Sequence, residues 1–320
     1  MLFAIGVSLN RLKHPPGTQS YAHSSFRWCH MNQAAEKVLG HLVLKQSSDD
    51  LFTTVNKNEG WGQVFGGQLM AQAVCAATAT LSPEKKLVSF QATFAAPTDT
   101  SKPISYKVQD IREGKSFSMR QVVATQSDQA CFHANLSFQI QEEGLEYYIG
   151  APTAPPPSEC ADLREIVSRY KKYYPDHLHG LDTADPLPTQ PIDMRFANID
   201  QFLQSSTDAV DQLVWIKLDA VIGDNQEHHK QVLTYASDQT VSHIVAQPHN
   251  LGGLNPKLRL TSLDHAMWFH SSFRADDWLL LVRHCQAITS GRALVTGEVF
   301  DQDGLLVASL AQQALVRLSG

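Results

Sequence analysis

The sequence predicts an α+β chain made of two tandem copies of one unit, a long buried helix with an antiparallel sheet. Three observations carry this. Residues 69–81, LMAQAVCAATATL, are apolar or small nearly all round, and a helix without a polar face is a buried helix. The runs that follow alternate as half-buried strands do. The same order, helix and then strands, returns in the second half, as two copies of one supersecondary unit and not a solenoid.

In chain order, residues 41–57 alternate loosely through Leu42, Leu44, Leu51, Phe52 and Val55 and read as strands. GWGQVFGG at 60–67 reads as a loop entering the first helix, which Ser82-Pro83 ends. VSFQATF at 88–94, ISYKVQDI at 104–111, SMRQVVATQ at 118–126 and CFHANLSFQI at 131–140 read as strands, with EGKS at 113–116 as a turn. APTAPPPSE at 151–159 is a proline-rich linker, 161–174 an amphipathic helix, and LDTADPLPTQP a second loop. Residues 229–247 read as the second helix, ended by Pro248, with strands at 278–288, 293–300 and 305–317. Phe94 and Phe269 end corresponding strands. Asp128-Gln129 precedes Gln139 as Asp301-Gln302 precedes Gln312, so the two glutamines are expected to be counterparts.

Composition bounds the function. The chain has 320 residues, 43% hydrophobic, with a formal net charge of −6. No basic block or nucleic-acid-binding signature is present, which argues against a nucleic-acid partner. No stretch approaches the roughly 20 apolar residues of a membrane span, so no membrane partner is expected. Cys29, Cys75, Cys131, Cys160 and Cys285 are scattered and never in CxxC spacing, which fits a reducing compartment. Residues 1–30 hold Arg11, Lys13 and Arg27 and no acid. They read as an N-terminal extension, disordered or not native, with Met31 as the start; an organellar transit segment is the other reading. The chain ends RLSG and not in a Ser-Lys-Leu address, and a cytoplasmic location is expected.

Three polar residues stand where a core would place aliphatic ones. Asp238 lies among Leu233, Val241, Ile244 and Val245. It reads either as a helix N-cap or surface acid, or as a buried carboxylate with a task, since such a group needs donors. The first helix region, 64–81, contains no acid. Ser262 precedes Leu263-Asp264-His265 and reads as a strand-edge hydroxyl or a functional one. Gln312 lies among small residues on an alternating strand, as a paired core amide or a working one. Asp264 and His265 read as structural. His228-His229 and His177/His179 read as surface loops, not metal ligands, and no metal or cofactor is expected. The glycine-rich loop lacks the GK[ST] of a phosphate loop, and GxSxG is absent.

The segments GWGQVFGGQLMAQA, LDHAMWFH and DQDGLLVASLAQQALVR resemble the acyl-CoA thioesterase II family, the double hotdog thioesterases. The resemblance runs from about Met31 to Arg317. It implies two hotdogs side by side: residues 31–140, a linker with a helix over 141–200, and 201–320 carrying the catalytic residues. It implies an acyl-CoA hydrolase in which Asp238, Ser262 and Gln312 hold and activate the water that attacks the thioester. Gly66, Gly67 and Gln68, at a helix N-terminus, are candidate substrate-binding donors for the oxyanion. Relatives form dimers or tetramers, so a homodimer or homotetramer is expected. Coenzyme A is anionic, and Lys115, Arg120, Arg274 and Arg292 are candidate phosphate contacts. One departure from the family stands out: Gln91 occupies a position where many relatives carry His. Two alternatives are a hotdog hydratase or dehydratase, which needs a catalytic His facing a carboxylate, and a non-catalytic acyl-CoA-binding protein.

Overall fold

The computed structural model describes residues 33–54, 63–173, 191–200, 211–239, 241–249, 251, 255 and 257–318. The extension 1–30 and nearly all of the loop 181–191 lie outside the described residues. The elements are α1 (Gln33–His41), β1 (Lys45–Ser48), β2 (Leu51–Thr54), α2 (Gly66–Thr78), β3 (Lys85–Phe94), β4 (Ile104–Glu113), β5 (Phe117–Gln126) and β6 (Gln129–Ile140). Then come β7 (Ala161–Asp162), α3 (Leu163–Tyr173), β8 (Ile192–Phe196), β9 (Asp211–Leu218), α4 (Gln226–Ser237), a 3-10 segment (Val241–His249), β10 (Leu258–Phe269), β11 (Leu279–Thr289), β12 (Arg292–Phe300) and β13 (Leu306–Leu318).

All thirteen strands form one sheet in the order β1-β2-β4-β5-β6-β3-β10-β13-β12-β11-β9-β8-β7. The halves join where β3 and β10 pair antiparallel, Phe90 opposite Met267 and Ala92 opposite His265. The apolar core runs through both halves. It is built from α2, α4, the 3-10 segment and the inward-facing positions of the strands, among them Met70, Val74, Phe90, Leu136, Leu233, Val245, Met267 and Leu310. Alternation places these side chains on one face of the sheet, where the two helices cover them.

The seam carries an approximate two-fold symmetry with an internal ruler. β3 has an irregularity between Leu87 and Ser89, and β10 has one between Ser262 and Asp264. Superposing the two bulges makes Leu87 the counterpart of Ser262 and Phe90 the counterpart of His265. Phe90 pairs with Leu136, and His265 pairs with Gln312. The counterpart of Gln312 is therefore Leu136, and the expected equivalence with Gln139 is out of register by three residues. Gln139 instead donates to Glu142 at the surface, at 3.0 Å.

The second helix also departs from expectation. It starts at Gln226, stops at Ser237, and gives way to the 3-10 segment, in which Pro248 lies. Asn225 caps its start, its side chain accepting from the Glu227 N–H at 3.1 Å. Asp238 is the C-cap residue and not a mid-helix one. His228 and His229 are buried in α4, and not in a surface loop. His229 Nδ1 accepts from the Ala275 N–H at 3.0 Å, and its Nε2 lies 2.8 Å from the Gly223 carbonyl, tying the helix to the loop before β11. His177 and His179 lie outside the described residues.

Candidate active site

The N-terminus of α2 abuts the C-terminus of α4 so closely that side chains are excluded. A Cβ on Gly66 would fall 2.5 Å from Asp238 Oδ2, and one on Gly67 would fall 2.3 Å from the Tyr235 carbonyl oxygen. Glycine is required here for closeness of approach. The result brings the Asp238 carboxylate under the first turn of α2, where it accepts from the Gly67 N–H. A helix N-terminus favours a negative charge at that place.

The sheet supplies the other two groups. Ser262 and Gln312 lie on the adjacent strands β10 and β13. Ser262 Oγ donates to Asp238 Oδ1 at 3.2 Å, and Gln312 Nε2 donates to the same oxygen at 2.9 Å. Gln312 Nε2 also reaches Ser262 Oγ at 2.5 Å. The three side chains singled out from the sequence thus converge on one carboxylate oxygen, although 24 residues separate Asp238 from Ser262 and 74 separate it from Gln312. Asp238 keeps part of its surface open, yet its carboxylate is packed among protein atoms. Burial pushes its pKa up from 3.8 to about 6, against the opposing pull of the bonds from Gln312, Ser262 and Gly67.

A residue read as structural holds this group in place. His265, 1% exposed, lies 3.2 Å through Nδ1 from Gln312 Oε1 and 3.1 Å through Nε2 from Ser237 Oγ. Burial lowers its pKa to about 4, so it is neutral at pH 7. Gln312 Oε1 can only accept, which puts the single proton on Nδ1. That bond fixes which way the Gln312 amide faces and turns its NH2 toward Asp238. Ser237, whose one hydroxyl proton is shared between His265 Nε2 and the Thr234 carbonyl 2.9 Å away, carries no sequence signal. Asp264 Oδ1 accepts from the Gln313 N–H at 2.9 Å, bracing the bulge beside Ser262.

The three candidate backbone donors differ. The Gly67 N–H faces Asp238, and the Gln68 N–H closes on the Phe65 carbonyl at 3.0 Å. Gly66 N–H donates to no described residue. The ring of Phe94 borders it, 3.0 Å from where a Cβ would stand. Of the candidate phosphate contacts, Arg120 is buried and bound to Asp110 and Glu113, and Arg274 is bound to Asp224, Asp276 and Asp277. Both are committed to internal pairs. Lys115 and Arg292 are exposed. Gln91 is exposed on β3, opposite Ala266, away from this site. Among the described residues no three His, Cys, Asp or Glu side chains converge as metal ligands.

The pseudo-symmetric place in the first half is built differently. There Leu87 and Leu136 replace Ser262 and Gln312. The Leu87 N–H donates to Glu227 Oε2 at 3.2 Å, and its carbonyl accepts from Lys230 Nζ at 2.8 Å. Glu227 and Lys230 pair with each other at 3.0 Å, both nearly buried. An ion pair from α4 fills the space.

A buried helix beneath a long antiparallel sheet is the hotdog plan, and the solved structures that resemble the chain share it. A hot dog fold protein from Alicyclobacillus acidocaldarius matches with a TM-score of 0.67 at 17% identity, over 89% of this chain and 99% of that one. An acyl-CoA thioesterase II from Mycobacterium marinum matches with a TM-score of 0.72 at 28% identity, over 88% and 99%. Residues 57–139 match the acyl-CoA thioesterase N-terminal domain and residues 160–316 the acyl-CoA thioesterase C-terminal domain. Acyl-CoA thioesterase 2 of Haemophilus influenzae is 30% identical over 280 residues, 87% of this chain and 96% of that protein. Acyl-coenzyme A thioesterase 8 of Homo sapiens is 31% identical over 288 residues, 87% and 88%. The chain belongs to the acyl-CoA thioesterase family, and it is a hydrolase.

Proposed function

We propose that the chain hydrolyses fatty acyl-CoA to a free fatty acid and coenzyme A, with Asp238 as general base. The observation that carries this is the meeting of Asp238, Ser262 and Gln312 under the N-terminus of α2. A carboxylate whose pKa is near 6 is ionised at pH 7 and still basic enough to take a proton from water. Ser262 and Gln312 hold that carboxylate and orient the attacking water beside it, which is catalysis by positioning. The attack makes a tetrahedral oxyanion, and the Gly66 N–H, which donates to no described residue, is the backbone donor for it at the start of α2. Collapse expels the thiolate of coenzyme A, which leaves with a proton. A hydratase would need a His facing a carboxylate. His265 is neutral and spent on Gln312 and Ser237, which favours hydrolysis.

The chain is a double hotdog in this reading, residues 31–140 and 201–320, with 141–200 between them. It has one catalytic site, because Leu87, Leu136 and the Glu227–Lys230 pair replace the reactive set in the other half. We infer a homodimer or homotetramer; exposed Leu145, Tyr147 and Ile149 on the strap after β6 form an apolar row that a second copy would cover. The unpaired Cys75, Cys131, Cys160 and Cys285 support a reducing compartment, the cytoplasm in this reading. Thiol release from a panel of acyl-CoAs tests the activity. Turnover by the wild type and its loss in Asp238→Asn are expected; a wild type that binds acyl-CoA and releases no thiol would leave the non-catalytic reading standing.

A further inference from the structure

We propose that Phe94 selects the acyl group, an inference that rests on the acyl-CoA reading above. Its ring is the wall against which the carbon next to the thioester carbonyl rests, so the site takes straight acyl chains and turns away those branched at that carbon. A Cβ on Gly66 would fall 2.5 Å from Asp238 Oδ2, and 3.0 and 3.1 Å from the Phe94 ring atoms Cε1 and Cζ. The general base, the Gly66 backbone and the ring edge of Phe94 therefore border one small space. Oδ2 is also the carboxylate oxygen that Ser262 and Gln312 leave alone, since both donate to Oδ1. A water taken by Oδ2 attacks a carbonyl whose oxygen faces the Gly66 N–H. Phe94 closes a third side, and the next carbon of the acyl chain passes along its ring edge.

The ring is held in place. Phe94 ends β3 opposite Phe132 of β6, and the two ring centroids are 5.5 Å apart. Phe132 is fully buried, and close packing leaves it no room to give way. Phe94 itself is half-buried and carries the apolar core outward to the site. That surface suits a hydrocarbon and offers no partner to the amides of a pantetheine arm.

The two-fold relation gives an internal control. The bulge alignment makes Phe269 the counterpart of Phe94. Phe269 is buried, with Lys230 Nζ 5.9 Å from its ring centroid and Phe273 stacked on it at 6.4 Å. Counted from the N-caps Phe65 and Asn225, α2 carries Gly67 and Met70 where α4 carries Glu227 and Lys230. α2 therefore has no cation to lay over Phe94. Of the two rings, the one left partly open is the one beside the base.

The test measures kcat/KM for decanoyl-CoA and 2-methyldecanoyl-CoA on the same preparation, so that the fraction of active enzyme cancels from their ratio. Hydrolysis of both thioesters by hydroxide gives the intrinsic difference between them. The wild type should favour decanoyl-CoA by about thirtyfold or more beyond that difference, as one methyl group in a tight apolar site can. Phe94→Ala should cut this excess by about tenfold or more. Phe94→Leu, which keeps an apolar side chain at the strand end, should cut it in the same direction, and Phe269→Leu should leave it at the wild-type value. No excess in the wild type, an excess unchanged in both Phe94 variants, or an equal fall in Phe269→Leu would overturn the proposal. If the wild type cleaves neither thioester, the hydrolase reading falls instead. Calorimetric titration with S-(2-oxoundecyl)-CoA and its 3-methyl form, ketones that keep the carbonyl and cannot be hydrolysed, then decides the role of Phe94. A preference for the unbranched ketone that Phe94→Leu loses supports the wall, and equal affinity for both ketones, or a preference that Phe94→Leu keeps, overturns it.

Discussion

At the scale of single residues, the Asp238 carboxylate is expensive to keep. Its ordinary value of 3.8 is raised to about 6 by burial. The ionised form is therefore disfavoured in the fold, a penalty absent below pH 3.8, growing between 3.8 and 6, and full above 6. At about 1.4 kcal/mol per pH unit it reaches up to about 3 kcal/mol. Asp238→Asn keeps an acceptor for Ser262 and Gln312 and removes the charge. It should lower kcat by about a hundredfold or more while raising the melting temperature at pH 8, and thermal denaturation measured beside thiol release checks both. His265 acts through Gln312. Replacing it with Phe, the residue at its counterpart Phe90, frees the Gln312 amide to turn. That variant should lose about tenfold or more in kcat with little change in KM; a proportionate rise in KM with intact kcat would reassign Gln312 to substrate contact. Asp238, Ser262 and Gln312 were legible through the resemblance to the acyl-CoA thioesterase II family; the residues alone left each open between a structural and a functional reading. Ser237 was not, since a serine near a helix end is ordinary, and the use of His265 became visible only with Gln312 Oε1 in front of it.

Among elements, the contact between α2 and α4 is the most demanding. Gly67→Ala would push a Cβ into the Tyr235 carbonyl, a backbone atom that cannot swing away. A destabilisation of about 1–3 kcal/mol is expected, with loss of activity because Asp238 moves with α4; equilibrium urea unfolding measures it. A second device ties three strands together. His284 on β11 bonds Asp211 of β9 at 2.5 Å and Glu298 of β12 at 2.7 Å. The bond to Glu298, then that to Asp211, raises its pKa to about 9. A raised histidine stabilises fully below its ordinary 6.5, and the contribution is lost as pH climbs through about 9. His284→Gln should therefore narrow the stability gap to wild type between pH 6 and 10, read from melting temperatures across that range. Helix and strand positions were largely legible from period and punctuation. The end of α4 was not, because no Gly or Pro stands between Ala236 and Gln247 to announce the change to a 3-10 segment. α1, β8 and β9 were missed; five alternating residues after a proline-rich loop are a weak signal for β8, and the apolar run Val214-Trp215-Ile216 breaks the alternation of β9.

Over the whole molecule, the duplication was legible but its register was not. The Asp-Gln pairs at 128–129 and 301–302 suggested that Gln139 and Gln312 correspond. In the first half Ser127 and Asp128 make a tight turn with positive φ, and β6 begins at once. In the second half a longer loop through Gly304 delays β13 until Leu306. The Asp-Gln pairs therefore sit at non-equivalent places in the two turns, and Leu136 is the counterpart of Gln312. Two consequences can be measured. Gln139→Ala, which removes a hydrogen bond to surface Glu142, should leave activity unchanged, whereas Gln312→Ala should lower kcat steeply. Equal losses would contradict the register and the divergence of the halves together. The divergence of the halves extends past Leu87 and Leu136, since the Glu227–Lys230 pair fills the corresponding place in the first half.

If Asp238 is the base that activates water for thioester hydrolysis, the pH dependence of kcat/KM carries its ionisation. With a saturated acyl-CoA and thiol release as the readout, the wild type should lose activity on the acid side through an apparent pKa near 6, the value for the free enzyme. Folded Asp238→Asn should show residual activity about a hundredfold lower or less, without that limb. A folded Asp238→Asn enzyme that keeps near-normal turnover, or that retains the same acid limb, would remove Asp238 from the role of base.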